Sequence, residues 1–126
     1  MKNFRELKVW EKAHQLTLAV YKATKPFPKE ELYRLTSQIR RSGASIAANI
    51  AEGCGRTGDA GLARFLNIAL GSASELEYHI LLARDLNYLN KTCYDQLTGD
   101  NSDIKRMLAT FVIKLKPDSS YLKAES

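Results

Sequence analysis

The sequence predicts an all-α fold, an antiparallel up-down-up-down four-helix bundle. Three observations point to it. Apolar residues recur at steps of three and four, and no alternating strand pattern persists. Proline stands only at 26, 28 and 117, and glycines cluster at 53, 55, 58 and 61, so the breaks are few and grouped. The connections left between helical stretches are short, which favours antiparallel neighbours. A chain of 126 residues is one domain by length. The bundle is expected over residues 3–116, with a flexible polar tail over 117–126.

The first helix is expected from Asn3, a cap, with Glu6 reaching back in a capping box. It runs to about Lys25 and stops before Pro26. Val9, Ala13, Leu16 and Val20 form its core stripe. A second apolar stripe lies part-way round the helix: Leu7, Trp10, His14, Leu18 and Tyr21. A helix in a lone bundle needs one apolar face. The second stripe is therefore the expected oligomer interface, and His14 an interface or core histidine.

The second helix is expected from Lys29 to Gly53, with Glu30 and Glu31 favourable in its first turn. Leu32, Leu35, Ile39, Ile46 and Ile50 give its core. Ala44, Ala47, Ala48 and Ala51 leave a slim flank that lets another helix come close. The third helix is expected from the cap Asp59 to about Asn87. Its main line is Leu62, Leu66, Ala69, Ala73, Leu76, Ile80 and Ala83. A second line, Phe65, Ile68, Leu82 and Leu86, makes it the helix expected to be most buried. The fourth covers about Thr92 to Lys116, with Tyr94, Leu97, Ile104, Leu108, Phe111 and Leu115 as its stripe. Thr98–Ser102 is poor in helix formers, so a break with Ser102 as a new cap is an open alternative.

One face of the second helix is polar. Arg34, Gln38, Arg41, Ser45, Asn49, Glu52 and Arg56 follow one another at steps of three and four. In an antiparallel hairpin turning near Thr57, Arg41 comes level with Ala73, and Gln38 and Arg41 come within reach of Ser72 or Glu75. The preferred reading is structural. Gln38, Arg41, Ser45, Asn49, Glu52, Ser72 and Glu75 would form a buried polar layer that fixes helix register, its carboxylates paired because an unpaired buried charge is costly. The competing reading is a polar groove for a ligand or for RNA phosphates.

Catalytic chemistry finds little support. His14 and His79 belong to no HExxH pair, and Glu75-Leu-Glu-Tyr-His79 has neither the Glu-x-x-His spacing nor the second copy of a di-metal bundle. Gly53-Cys-Gly-Arg-Thr-Gly58 follows a helix and lacks the Gly-Lys-Ser/Thr ending of a phosphate loop. Cys54, near Arg56, is expected to be somewhat acidic, but no histidine base accompanies it. No metal or cofactor is expected. The N-terminus lacks the apolar core of a secretion signal and no run approaches a membrane span, so a cytoplasmic protein with free Cys54 and Cys93 and no membrane partner is expected.

The net charge of +5 is modest. Residues 1–25 hold six basic and two acidic groups, residues 59–90 two basic and four acidic, so the basic excess sits early in the chain. Such a surface permits nucleic-acid attraction, and an ordinary solvated lysine face fits equally well. Lys8, Lys12, Lys22, Arg34, Arg40 and Arg41 are the candidate nucleic-acid contacts.

Five segments in order carry a likeness to a known family: Phe4–Trp10, Phe27–Glu31, Leu35–Ser42, Ser45–Gly53, and Arg64-Phe-Leu followed by Ala69–Glu77. Over residues 3–116 the chain resembles the 23S rRNA-intervening sequence proteins, or S23 proteins, departing at Thr98–Ser102. The resemblance implies a small bacterial four-helix bundle without known catalysis. The family's name reflects genes lying within inserts of rRNA genes and does not demonstrate ribosome binding. Related accessory variability determinants of retroelements form basic pentamers that engage a reverse transcriptase and nucleic acid. By that resemblance the chain is expected to be a homo-oligomer, a pentamer in particular, that binds RNA or a ribonucleoprotein partner. The alternative is a protein-interaction adaptor with no nucleic-acid role.

Overall fold

The period-3.6 stripes become four α-helices: α1 (Lys8–Thr24), α2 (Leu35–Cys54), α3 (Asp59–Asp85) and α4 (Lys91–Lys114). These come from a computed structural model that describes residues 2–116. The tail expected over 117–126 lies outside the described residues. Each helix packs on its neighbours in sequence, and α1 closes the ring against α4. The result is the expected four-helix bundle, with no strand among the described residues. Every residue of the α1 core stripe is buried, as is every residue of the main α3 line. Fully burying one such Leu or Ile contributes about 1.5–3 kcal/mol.

Two helix starts differ from expectation, and tertiary contacts decide both. Asn3 caps only a 3₁₀ turn over Phe4–Glu6, its Oδ1 accepting the Arg5 N–H at 3.1 Å. Leu7 is extended (φ −86°, ψ 126°), so α1 begins at Lys8 and the Glu6 capping box is not formed. The turn folds Phe4 back onto Trp10, ring centroids 4.9 Å apart. After Pro28 a second 3₁₀ turn, Lys29–Glu31, precedes a non-helical Arg34, and α2 begins at Leu35. The Tyr88 hydroxyl donates to Glu31 Oε2 at 2.9 Å, and Tyr88 also packs against Phe27. With that anchor fixed, Leu32 is not a core residue; it is 47% exposed.

Three smaller differences follow from packing. Gly58, not Asp59, occupies the N-cap of α3, and Asp59 takes the first helical position, where its charge still suits the dipole. The most buried helix is α2, with ten buried residues of 20 against seven of 27 in α3. The second line of α3 is divided: Ile68 and Leu86 are 41% and 43% exposed, while Phe65 and Leu82 are half-buried. Finally, α4 runs unbroken through Thr98–Ser102. Asn90 caps it, Oδ1 accepting the Cys93 N–H at 2.8 Å, and Ser102 caps nothing. Asn101 is buried, and its Nδ2 donates to the Ala73 carbonyl of α3 at 2.9 Å. That cross-helix bond stabilises a stretch whose intrinsic propensity is poor.

Turn chemistry sets the remaining geometry. Asn87 adopts φ 65°, and the Tyr88 N–H returns to the Ala83 carbonyl, a Schellman end for α3. Near the α2–α3 turn, a Cβ on Gly53 would stand 3.0 Å from Leu62 Cδ1 and from Phe65 Cβ. Glycine there lets the two helix ends approach closely.

Candidate functional site

The polar row of α2 does meet α3, but at the surface. Arg41 pairs with Glu75 and takes Gln38 Oε1 at 2.9 Å from Nη2. The side chains of Arg41 and Glu75 remain 51% and 39% exposed. Asn49 donates to the Ser45 carbonyl of its own helix, and Glu52 pairs with Arg56 one turn on. Gln38, Arg41 and Glu52 are exposed, while Ser45, Asn49, Ser72 and Glu75 are half-buried. The expected buried layer is therefore corrected to a surface seam. The reason is angular: Ile39, Ile46 and Ile50 centre the inward face, and the row runs along its edge.

Among the described residues, the polar side chains actually buried are those of Thr24, Thr36, Ser42 and Asn101. Thr24 Oγ1 donates to the Val20 carbonyl at 2.8 Å and accepts Arg40 Nε at 2.8 Å. Ser42 Oγ lies 3.2 Å from both the Ile39 carbonyl and His79 Nδ1. A serine beside an imidazole is the first requirement of a nucleophile–base pair. Here Ser42 has no solvent exposure, so no substrate reaches its hydroxyl. Burial pushes the His79 pKa below 6.5, opposed by nearby Glu75 and aided by Arg41. The pair is a neutral cross-helix link.

The cysteines are equally quiet. Burial raises the Cys54 pKa and outweighs the cation of Lys2, which overturns the expected acidity, and burial raises Cys93 as well. Among the described residues no group of three or more His, Cys, Asp or Glu is gathered to hold a metal ion. No helix among them is long and apolar enough to cross a membrane.

The six candidate cations do not form one patch. Lys8, Lys12 and Lys22 are exposed on α1, within an arc of roughly 80° at 100° per residue. Arg40 sits at the α1–α2 junction, half-buried, held by Thr24 and lying 4.8 Å above the Tyr21 ring. Arg34 and Arg41 lie on the α2–α3 side, Arg41 already occupied by Glu75.

The second stripe of α1 also divides. Leu18 and Tyr21 are 51% and 43% exposed. Trp10 and His14 are half-buried and stack on each other at 5.1 Å. Leu7 turns instead toward α4. There it lines a groove of about 500 Å³, with Val9, Met107 and Phe111 as the other apolar walls. Lys8, Arg106 and Lys114 also line it. The sequence held one signal for this feature, Met107 and Phe111 one turn apart with Arg106 and Lys114 beside them. Their junction with Leu7 depends on how α1 and α4 are rotated, which no single-helix pattern reveals.

The sequence pattern of the family described as 23S rRNA-intervening sequence protein matches residues 5–110. A crystal structure of a protein of unknown function from the S23 ribosomal protein family of Bacteroides thetaiotaomicron VPI-5482 is similar in fold, with a TM-score of 0.77. It is 30% identical, and the match covers 82% of this chain and 94% of that one. No curated protein matches.

Proposed function

The chain belongs to the 23S rRNA-intervening sequence protein family, and from that premise we propose a non-enzymatic, homo-oligomeric bundle that binds RNA or a ribonucleoprotein partner through basic surface. The observation that carries the reading is on α1. Lys8, Lys12 and Lys22 stand exposed, with no ion-pair partner among the described residues, on the helix that also carries the exposed apolar Leu18 and Tyr21. Unpaired lysines attract phosphate at the lowest desolvation cost, and an unpartnered apolar face favours self-association. A pentamer that repeats the lysine arc would multiply its field. The setting proposed is the cytoplasm, where Cys54 and Cys93 stay reduced.

Titration with cellular RNA at increasing salt tests this. Affinity should fall steeply with salt, and Lys8→Gln, Lys12→Gln and Lys22→Gln should each flatten the slope by about one. Absence of binding at low salt sinks the RNA reading. Light scattering tests assembly separately: Leu18→Ser should reduce the particle mass, and a monomeric wild type would refute the interface. The second reading, a protein-interaction adaptor, is favoured by the apolar walls of the α1–α4 groove. It requires salt-insensitive capture of a protein partner.

A further inference from the structure

The α1–α4 groove joins three features. Its walls are apolar and include one aromatic ring, Phe111. Three of its eight lining residues are cations, Lys8, Arg106 and Lys114, and none is an acid. It is open to solvent, and its volume of about 500 Å³ falls in the range of ligand sites. Apolar walls alone favour any apolar body. The cations narrow the choice to one flanked by negative charge.

We propose that this groove seats an unpaired base of single-stranded RNA, with the flanking phosphates on Lys8, Arg106 and Lys114. The proposal rests on the RNA-binding reading above and gives that reading a specific place. Single strands offer a flat apolar face and one anion per nucleotide, the combination these walls and cations complement. Phe111 supplies the stacking surface and the Thr110 hydroxyl a sequence-tolerant polar contact. Arg106 is paired with Asp103, but both side chains are exposed, so the pair is weak and the guanidinium is free to turn to phosphate. Lys8 and Lys114 have no ion-pair partner among the described residues. An acidic amphipathic helix meets the charge but is matched less well. Helix-in-groove binding uses a continuous apolar stripe, whereas cations make up three of these eight lining residues.

The test is fluorescence anisotropy on the full chain, with a labelled uridine oligonucleotide and a duplex RNA of equal length at low salt. The single strand should bind more tightly than the duplex, whose stacked bases are hidden. Phe111→Leu keeps apolar volume and removes the ring; it should weaken single-strand binding roughly tenfold without changing the salt slope. Lys114→Gln should lower the slope by about one, and because Lys114 is an exposed residue this variant keeps the readout alive if Phe111→Leu misfolds. Equal binding of strand and duplex, with Phe111→Leu unchanged and Lys12→Gln weakened, would overturn the groove and leave the RNA reading standing. No RNA binding at all would overturn both. In that case, capture of a synthetic acidic amphipathic peptide by wild type but not by Phe111→Leu would assign the groove to a protein partner.

Discussion

The α2–α3 seam and the α1–α4 groove are both junctions between neighbouring helices, yet they are finished differently. In the seam most of the charged and amide groups find an internal partner: Arg41 with Glu75 and Gln38, Asn49 with its own backbone, and the buried Ser42 with His79. In the groove the floor is apolar, and two of the three cations have no such partner among the described residues. A partner gains little from the seam, because it would first have to displace contacts already made. The groove offers apolar area and charge without that competition. Polar richness in a sequence thus does not by itself mark unoccupied polar surface; what matters is whether those groups are already satisfied.

Substitutions at the two junctions can break this contrast. The largest effect is expected at Gly53, where an added methyl would meet Leu62 and Phe65 at 3.0 Å. Gly53→Ala should destabilise by about 1–3 kcal/mol in thermal or urea unfolding, and no loss would mean the helix ends are loosely packed. Next comes Ser42→Ala, which leaves His79 Nδ1 without its partner and should cost about 1–2 kcal/mol. His79 also gives the seam a pH signature. Its folded pKa is depressed, so its contribution is complete above the ordinary imidazole value of 6.5 and is lost as pH falls through the lowered one. Urea midpoints should drop on acidification below pH 6.5, and His79→Gln should flatten that drop. A smaller effect is expected for the exposed Arg41–Glu75 pair, about 0–1 kcal/mol of coupling in a double-mutant cycle. Smallest of all are Lys8→Gln and Lys114→Gln, within about 0.5 kcal/mol of wild type; a larger loss would show that the groove's cations hold the fold and are not free for a ligand.

The stripes of the core were legible because burial imposes a period that single residues cannot hide. Val9, Ala13, Leu16 and Val20 needed only that period, and so did the main α3 line. The helix starts were not, because distant contacts settle them: Phe4 on Trp10 holds the first turn, and Tyr88 on Glu31 holds the second. The Arg41–Glu75 pairing was readable from hairpin arithmetic, but its exposure was not, since that depends on a rotation of a few tens of degrees about each helix. Thr24 and Ser42 escaped notice as interior polar groups because hydroxyls that bond their own helix backbone pass unmarked in an apolar stripe. The groove left only the Met107 and Phe111 spacing on α4, and its junction with Leu7 depends on how two helices meet.

Arg40 carries a further consequence. An exposed lysine or arginine that grips a partner gives up about 1.5–2 kcal/mol of rotamer freedom. Arg40 has already surrendered part of that freedom to the Thr24 hydroxyl and the Tyr21 ring. It is a cation whose direction is set within its own fold, while Lys12 and Lys22 on the neighbouring helix stand exposed with no such tie. Turning Arg40 elsewhere means first breaking its bond to Thr24, a barrier the exposed lysines do not face.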